Sequence, residues 1–533
     1  MIREAYDYII VGAGSSGCVL ANRLSDNGKF SVLLLEAGPR DYYPWIHIPI
    51  GYAKTMFNEN YNWCLYTEPE PGMHNRRIYW PRGKVLGGSS SINGLIFIRG
   101  QARDFDAWEQ LGNPGWGWAD VLPYFIRLEK NQAGASELRG TKGLLGVSDI
   151  DEKDPLARAF IKACIQAGIP ENEDFNGEIQ EGAGFYQLTT WQGRRSSTAV
   201  AYLKPARRRS NLTIEINALA TAIRFEGKQA RGINYKKGSE CFTADANREV
   251  ILSAGAVQSP QLLQLSGVGD GAFLSHHDID VVHHLPGVGQ NLQDHLQIRV
   301  IHRCNTPITT NDIMKSPMGK LRMGVKYFIS RSGPLSIGIN QAGAFTRTSD
   351  RLDTPDIQFH FAALSADLPG APLHDFSGFT SSICQLRPQS RGYVNIKSAD
   401  PHESPAIAPN YLDAESDRQT IVAAIKVARR IAACPAMEDL IIDEYMPGPG
   451  VNNNDELLEF ARASGVTIFH PVGTCKMGTD AQGVVDSRLR VHGVGGLRVV
   501  DASIMPSITS GNTNAPVIMI GEKAADMVLE DAG

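Results

Sequence analysis

The chain of 533 residues exceeds the roughly 250–300 residues at which a single hydrophobic core stops growing, so at least two domains are expected. Its 42% hydrophobic and 20% charged residues are typical of an ordinary globular protein. The formal net charge is only −5, and the short basic cluster at residues 204–209 is expected to be a solvated surface turn. The composition therefore argues against nucleic acid as a partner.

Eight cysteines are scattered without a CxxC pair or a metal-ligand spacing, so we predict neither a metal site nor a disulfide framework, and a reducing compartment fits best. The N-terminus leads directly into an apolar strand pattern, without the features of a secretory signal. No apolar stretch approaches the roughly 18 residues that span a bilayer. We therefore expect a cytoplasmic protein for which any membrane contact is peripheral.

The first forty residues read as a strand, a glycine turn, a helix and a second strand. The apolar run Tyr8 to Val11 suits a buried parallel strand, and Gly12-x-Gly14-x-x-Gly17 follows it directly. In this motif the glycines permit a tight turn, close approach of a pyrophosphate and packing of the next helix. The segment therefore predicts a dinucleotide-binding unit.

Three side chains refine the expected ligand of that unit. Ser15 and Ser16 would lie at the helix N-terminus, where free N–H groups and the helix dipole favour phosphate. Glu36 ends the second strand near the roughly 20-residue spacing expected for the acid that binds an adenosine ribose hydroxyl. A carboxylate there disfavours the 2′-phosphate of NADP, and the unit alone leaves FAD and NAD open.

Strand-to-helix patterns recur later in the chain. Residues 248–255 read as a strand that enters a glycine turn, followed by a helix that Ser259 and Pro260 open and that continues to Leu265. Residues 495–501 read as another such strand, followed by a helix through residues 518–528. Because these patterns lie at the start, middle and end of the chain, we predict that the nucleotide-binding domain is discontinuous.

The material between these patterns predicts a second, substrate-binding domain. Residues 357–361 and 392–397 alternate as half-buried antiparallel strands do, and residues 417–433 read as a helix that packs on their sheet. The fold class is therefore α/β with an α+β second domain, in which helices flank an antiparallel sheet. We place the nucleotide-binding domain at residues 1–150, 205–300 and 462–533, and the substrate-binding domain at residues 151–204 and 301–461.

Three polar segments are candidates for the chemistry. The glycine- and serine-rich loop Gly83 to Gly94 can let a flat ring approach the main chain, or it can be a surface loop. His470 precedes Pro471, which excludes the helical region and projects the imidazole from a rigid turn, although a histidine satisfied in a turn is the commoner case. Asn512 and Asn514 can donate to a substrate or can cap the last helix.

Together these motifs resemble the glucose-methanol-choline (GMC) oxidoreductases, in family order from Tyr6 to the last helix. The segments Trp80 to Asn93 and Gly511 to Pro516 look closest to the bacterial alcohol and choline dehydrogenase branch. The resemblance implies FAD, and Ile92 stands where some relatives carry the histidine that attaches FAD covalently, so we expect noncovalent FAD. The residues implied to contact the cofactor are Gly12, Gly14, Ser15, Ser16, Gly17, Glu36, Ala37, Gly87, Gly88, Ser89, Asn93, Gly94, Ala254, Asp501, Ala502 and Asn514.

The resemblance also implies a reaction. His470 maps onto the family's catalytic histidine and Asn512 onto its second active-site residue, so His470 would take the hydroxyl proton of a primary alcohol while a hydride passes to flavin N5. We expect an acceptor such as a quinone, with choline as the rival substrate and oxygen as the rival acceptor; a hydroxynitrile lyase ranks lower. The aromatic residues Tyr61, Trp63, Phe359 and Phe361 are candidates for the substrate pocket. The oligomeric state is left open.

Overall fold

Two seven-stranded sheets organise the structure, a computed structural model that describes residues 3–533. In the first sheet Arg3–Val11 lies centrally, parallel to Val32–Leu35 on one side and to Glu240–Leu252 on the other. Buried parallel strands are apolar on both faces, as Val32–Leu35 is. The spatial order of the sheet is Leu212–Glu215, Val32–Leu35, Arg3–Val11, Glu240–Leu252, Gln229–Lys237 and Leu219–Glu226, and Leu497–Val499 also pairs with Glu240–Leu252.

The second sheet is antiparallel and carries helices on one face. Pro155–Gln166, Glu415–Ala432 and Asn454–Ser464 bury their apolar sides against it in one hydrophobic cluster. The spatial order is Ile441–Met446, Leu296–Cys304, Gly378–Gln385, Ile357–Ala362, Asn340–Thr346 and Gly182–Phe185, and Val466–Thr467 also pairs with Leu296–Cys304. These two sheets and their helices confirm the predicted fold class.

The remaining elements connect and cover these sheets. The other long helices are Gly17–Ser25, Ala102–Gln110, Trp118–Leu128, Gly255–Leu265, Pro317–Ser330 and Asn514–Ala532. Shorter helices are Pro44–His47, Pro49–Gly51, Tyr52–Thr55, Pro71–Met73, Gly88–Ser91, Ala199–Leu203, Lys204–Ala206, Gly271–His276, Thr310–Lys315, Pro334–Ser336, Pro435–Glu438 and Ala502–Ile504. Small two-stranded pairs are Leu65–Tyr66 with Tyr79–Trp80, Glu129–Asn131 with Leu145–Val147, Thr190–Trp191 with Arg194–Arg195, Val268–Gly269 with His283–His284, and Tyr393–Asn395 with Ala406–Ala408.

One helix begins earlier than its sequence predicts. The helix expected from Ser259 starts at Gly255, so Pro260 lies inside it and cannot donate to the carbonyl of Ala256. The hydroxyl of Thr474 donates to that carbonyl instead, at 2.7 Å. A side chain distant in sequence therefore replaces the missing helix hydrogen bond, which is why the proline is a poor guide to where the helix starts.

One of the two strands predicted to be half-buried differs from expectation. Ile357–Ala362 is buried along its whole length, because helices cover one face of the sheet and a cavity wall forms the other. Residues 393–395 alternate as predicted, but they pair antiparallel with Ala406–Ala408, outside the second sheet. The helix expected at 417–433 is confirmed as Glu415–Ala432, packed on the sheet.

Candidate active site

A cavity of about 630 Å³ is lined by residues of both sheets. Turns at the carboxyl ends of the first sheet's parallel strands form one end, where nucleotides bind in such sheets. Strands of the second sheet line the other end with Gln297, Arg299, His360 and Ser382. The cofactor residues predicted from sequence that line the cavity are Gly12, Gly14, Ser15, Ser16, Glu36, Ala37, Gly88, Ser89, Asn93, Gly94, Ala254, Asp501, Ala502 and Asn514.

Glycines at the first end leave space that side chains would fill. A Cβ atom on Gly94 would have no neighbour within 4 Å, and one on Gly14 would meet nothing closer than 3.7 Å. The turn itself requires glycine at Gly12, where φ is +99° and a Cβ would lie 2.6 Å from the carbonyl oxygen of Ser253. These residues leave the main chain accessible to a flat or phosphorylated ligand.

Three helices point their N-termini at the same end of the cavity. They are Gly17–Ser25, Gly255–Leu265 and Asn514–Ala532, and the residues at or just before each start line the wall. Unpaired N–H groups and helix dipoles at such ends favour anions. The arrangement fits the pyrophosphate of a dinucleotide.

The carboxylate of Glu36 is buried at the end of its strand. It accepts hydrogen bonds from the backbone N–H groups of Ala13, at 3.0 Å, and Gly38, at 2.8 Å. Burial raises the pKa of Glu36 to about 7, and these two N–H groups partly oppose that rise. The acid is thus held beside the glycine turn, where a ribose hydroxyl would meet it.

Several predicted cofactor residues serve the protein scaffold with their side chains. The carboxylate of Asp501 accepts from the N–H of Gly255 and from the hydroxyls of Ser259 and Ser503, so it is satisfied within the protein. The Ser16 hydroxyl donates to the carbonyl of Val500 at 2.5 Å. The side chains of these two residues are therefore engaged within the protein.

Two of the predicted cofactor glycines, Gly17 and Gly87, are not among the residues that line the cavity. A Cβ on Gly17 would lie 1.9 Å from the carbonyl oxygen of Gly12, so this glycine lets the helix pack on the turn. Gly87 has a φ of +88°, and a Cβ there would lie 2.3 Å from the hydroxyl of Ser91. Both glycines shape the turns.

The glycine- and serine-rich loop is held by Arg195, which sequence reasoning missed. This buried guanidinium donates to the carbonyl of Ile46, at 2.9 Å, and to that of Ser90, at 3.2 Å. It also donates to the side-chain oxygen of Asn93, at 2.6 Å, and to the carbonyl oxygen of the same residue, at 2.8 Å. Burial lowers the pKa of Arg195 to about 9, so it stays charged near neutral pH. The loop is therefore fixed in place.

His470 projects into the cavity from a clamped segment. The residues on either side of it pair antiparallel with residues 293–295: Ile468 donates its N–H to the carbonyl of His295 at 3.0 Å, and Val472 donates to that of Gln293 at 2.9 Å. The N–H of His470 itself donates to the carboxylate of Asp294 at 2.7 Å. The backbone that carries the imidazole is thus fixed on both sides.

Hydrogen bonds define the tautomer of His470. The Nε2 atom of His295 lies 3.1 Å from the carbonyl oxygen of Leu386, which only accepts, so this nitrogen carries the proton. Burial lowers the pKa of His295 to about 4, so its Nδ1 is unprotonated and accepts from Nδ1 of His470, 3.0 Å away. Nε2 of His470 is therefore left with its lone pair.

A second hydrogen-bond network, on the Asn512 side of the imidazole, also indicates that Nε2 of His470 is unprotonated. The hydroxyl of Tyr186 donates to the carbonyl of Phe359, at 2.6 Å, and accepts from Nε2 of Gln358, at 3.1 Å. Gln358 also donates to the side-chain oxygen of Asn512 at 3.2 Å, which turns the Asn512 amide nitrogen towards Nε2 of His470, 3.2 Å away. Asn512 is thus a donor facing a nitrogen that accepts.

The surroundings of His470 keep its imidazole neutral. Burial lowers the pKa of His470 well below its usual value, and the nearby His295, His360 and Arg82 lower it further. Burial raises the pKa of Asp294 to about 6, opposed by hydrogen bonds from Thr467 and Tyr411. Near neutral pH the site therefore presents an unprotonated imidazole nitrogen, and the Asp294 carboxylate holds the backbone of the same residue.

Asn514 occupies a different position from Asn512. Its side-chain oxygen accepts from the hydroxyl of Ser15 at 2.8 Å, at the cofactor end of the cavity. Asn514 is also the first residue of the last helix. Of the two amides, Asn512 is the one that contacts His470.

The aromatic residues proposed for the pocket are mostly elsewhere. Trp63 lines the cavity, whereas Phe359 and Phe361 are buried among the helices behind the second sheet and Tyr61 stacks on Tyr43. Successive side chains of a strand face opposite sides, so His360 between the two phenylalanines faces the cavity. The expectation is therefore wrong for Phe359 and Phe361, whose place in the strand turns them away from the cavity, and for Tyr61, which does not line it.

Comparison with known proteins identifies the class. Residues 6–297 and 388–521 match family models described as GMC oxidoreductase, so the chain belongs to the GMC oxidoreductases, a family of flavoproteins that use FAD. The glycine turns, the helix N-termini and the buried Glu36 fit that cofactor.

The relatives fall among alcohol- and choline-oxidising enzymes. The chain is 46% identical over 530 residues to an alcohol dehydrogenase (acceptor) of Pseudomonas putida, covering 98% of this chain and 96% of the relative. It is 44% identical to the mitochondrial choline dehydrogenase of Mus musculus, covering 99% and 90%. Among solved structures, pyridoxine 4-oxidase from Mesorbium loti superposes with a TM-score of 0.88 at 32% identity, covering 98% and 99%.

Proposed function

We propose that the protein oxidises a primary alcohol to its aldehyde with FAD, using His470 as the base. The observation that carries this proposal is the lone pair on Nε2 of His470, which faces the cavity beside the donating amide of Asn512. When bound, FAD supplies the hydride acceptor. The domain boundaries predicted from sequence are part of the same proposal, with the site between the nucleotide-binding and substrate-binding parts.

The two side chains can bind one hydroxyl group in complementary ways. An alcohol oxygen placed between them would donate its proton to Nε2 of His470 and accept from the Asn512 amide, which replaces their mutual contact at 3.2 Å. As the proton moves, negative charge grows on the oxygen, and the amide and the new imidazolium stabilise it. General-base catalysis of this kind contributes about 10²–10⁴-fold to the rate.

The loop that would face the flavin supports noncovalent binding. Ile92 packs with Ile46 and Val85 in a small buried cluster and also lines the cavity. A hydrocarbon side chain offers no nucleophile to a cofactor. We propose that Gly88, Ser89, Asn93 and Gly94 contact the ring system, with the adenosine end at Gly12, Gly14 and Glu36.

Anaerobic titration of the purified flavoprotein with 1-hexanol, benzyl alcohol and choline tests the function. We expect loss of flavin absorbance with the neutral alcohols, followed by slow recovery in air and fast recovery with a soluble quinone. Rapid recovery in air with peroxide would identify an oxidase, and reduction by choline alone would identify the rival substrate. If no alcohol reduces the flavin, the proposal fails and flavin-dependent lyase chemistry becomes the better explanation.

An exposed helix supports peripheral contact with a membrane, where a quinone would accept the electrons. Along Pro317–Ser330 the apolar side chains of Met318, Leu321, Val325, Phe328 and Ile329 recur at helical spacing, and Ile329 is 82% exposed. Arg322 and Lys326 flank this apolar face and Lys320 lies on the opposite side of the helix, and basic residues on the polar face are typical of helices that lie in the membrane interface. None of the helices in residues 3–533 is long and apolar enough to cross a bilayer.

Replacing two residues of that face tests the membrane contact. We expect Phe328→Ser/Ile329→Ser to weaken binding to vesicles of phosphatidylglycerol and phosphatidylcholine about 10²–10⁴-fold, because each lost side chain removes about 1.5–3 kcal/mol of apolar burial at full insertion. Co-sedimentation measures the binding, and Ser330→Ala at the same helix end is the matched control. Equal binding of the double variant and the control would contradict the proposal.

A further inference from the structure

Arg299 stands out in the wall of the substrate end of the cavity. It lies on Leu296–Cys304, opposite Ser382 in the next strand, and Ser382 lies opposite His360 in the strand after that. All three residues line the cavity, whereas Ile298 and Val300 on the alternate face belong to the hydrophobic core. The Arg299 side chain is thus on the cavity side of the sheet, in line with His360.

The guanidinium of Arg299 is buried and forms no ion pair with an acid of residues 3–533. Only 8% of the residue is exposed, and its Nε and Nη1 atoms have no hydrogen-bond partner among the described residues. The acid that acts on it is Asp367, whose own side chain is 60% exposed and pairs with His374 at 3.0 Å. Burial lowers the pKa of Arg299 to about 10, which still leaves it charged near neutral pH.

Buried charges in folded proteins are almost always paired, because desolvation without a partner is costly. The other acids that line the cavity do not serve as this partner. Glu36 and Asp501 accept from backbone N–H groups at the cofactor end, and Glu403 is exposed to solvent. The missing partner of Arg299 is therefore best supplied from outside the protein. A group bound in the cavity is in a position to supply it.

We propose that Arg299 binds a carboxylate on the substrate, so that the preferred alcohols are ω-hydroxy acids. This inference rests on the proposed function and narrows its substrate class. A guanidinium recognises a carboxylate through paired N–H donors, and hydrogen bonds to charged groups are the strong ones. The same charge disfavours a cationic alcohol such as choline, because the positively charged Arg299 and Arg82 both line the cavity and would repel it.

The spacing of the two groups indicates the length of such a substrate. Arg299 lies four positions after His295, which contacts His470, and four steps of extended chain span about 13 Å. The long arginine side chain and the imidazole both shorten that gap. A chain of several methylene groups between hydroxyl and carboxylate would span the remainder.

Paired substrates and Arg299 variants test this assignment. We expect kcat/KM for 6-hydroxyhexanoate to exceed that for 1-hexanol about 10–100-fold, since one charge-assisted contact is worth that much. Arg299→Met should abolish this advantage, whereas Arg299→Lys should keep part of it because the charge remains. An equal preference for the two substrates, or an advantage that survives in Arg299→Met, would overturn the proposal.

Binding of a carboxylate that cannot be oxidised separates this proposal from the proposed function. Calorimetric titration with hexanoate should give a dissociation constant at least 10-fold lower for the parent flavoprotein than for Arg299→Met, and hexanamide should show no such difference. This result would support the carboxylate site even if no alcohol reduced the flavin. Equal hexanoate affinity in the two proteins would overturn it even if 1-hexanol were a good substrate.

Discussion

Replacing His470 with alanine is expected to slow anaerobic flavin reduction by an alcohol about 10²–10⁴-fold. The variant loses the unprotonated Nε2 that faces the cavity, and Asn512, which remains, can position the oxygen but cannot take its proton. Stopped-flow absorbance measures the reduction rate. His276→Ala, at an exposed helix end, is the matched control.

The pH profile adds a second readout for the same residue. A buried imidazole that acts as a base becomes protonated only when the pH falls below its lowered pKa, and the enzyme then loses activity. We therefore expect the acid limb of kcat/KM to lie below the usual histidine value of 6.5. An acid limb at 6.5 or above, or a variant that reduces its flavin at the parent rate while retaining FAD, would remove His470 from the role of base.

Replacing Arg195 with methionine is expected to lower the free energy of unfolding by about 4 kcal/mol and to weaken FAD binding. The guanidinium donates to the carbonyls of Ile46 and Ser90 and to both oxygens of Asn93, and methionine removes all of these hydrogen bonds. The loop that would face the flavin then loses its anchor. Urea unfolding of the apoprotein measures stability, and quenching of FAD fluorescence measures affinity.

The neighbouring arginine provides the control for this experiment. Arg194 is exposed, so Arg194→Met changes the same residue type without removing buried hydrogen bonds. Arg195→Lys should be intermediate, because it keeps the charge but not the fork of donors that spans several carbonyls. An unfolding midpoint and FAD affinity equal to those of Arg194→Met would show that the loop does not depend on Arg195.

The sequence predicts well those features that depend on neighbouring residues. The strand, glycine turn and helix around Gly12 are local, and each part restricts the next through backbone sterics and hydrophobic spacing. The proline after His470 and the family motif mark this residue as a candidate, and the structure places it in the cavity wall. These local signals explain why the fold class and the family could be predicted from the sequence, and both predictions are confirmed.

Residues that act through distant partners escape sequence reasoning. His295 and His470 are 175 residues apart and meet only when two segments pair, and Gln358 reaches Asn512 across 154 residues. Arg195 belongs to no recognisable sequence motif, so its burial cannot be predicted. Once the structure shows that it is buried, hydrogen-bond partners are expected, because charged residues are almost never fully buried unless paired. The weak local signal for His295 is its place with Asp294 immediately before an apolar strand, where polar residues are unusual.

The two-histidine chain behind the active site has a consequence for the path of the proton. Beyond His470 the chain continues through His295 and ends at the main-chain oxygen of Leu386, which has no titratable proton of its own to exchange. A proton received at Nε2 has no exit through this chain to the far side of the protein. It must return by the face on which it arrived, so the base resets only when the product leaves or water enters the cavity.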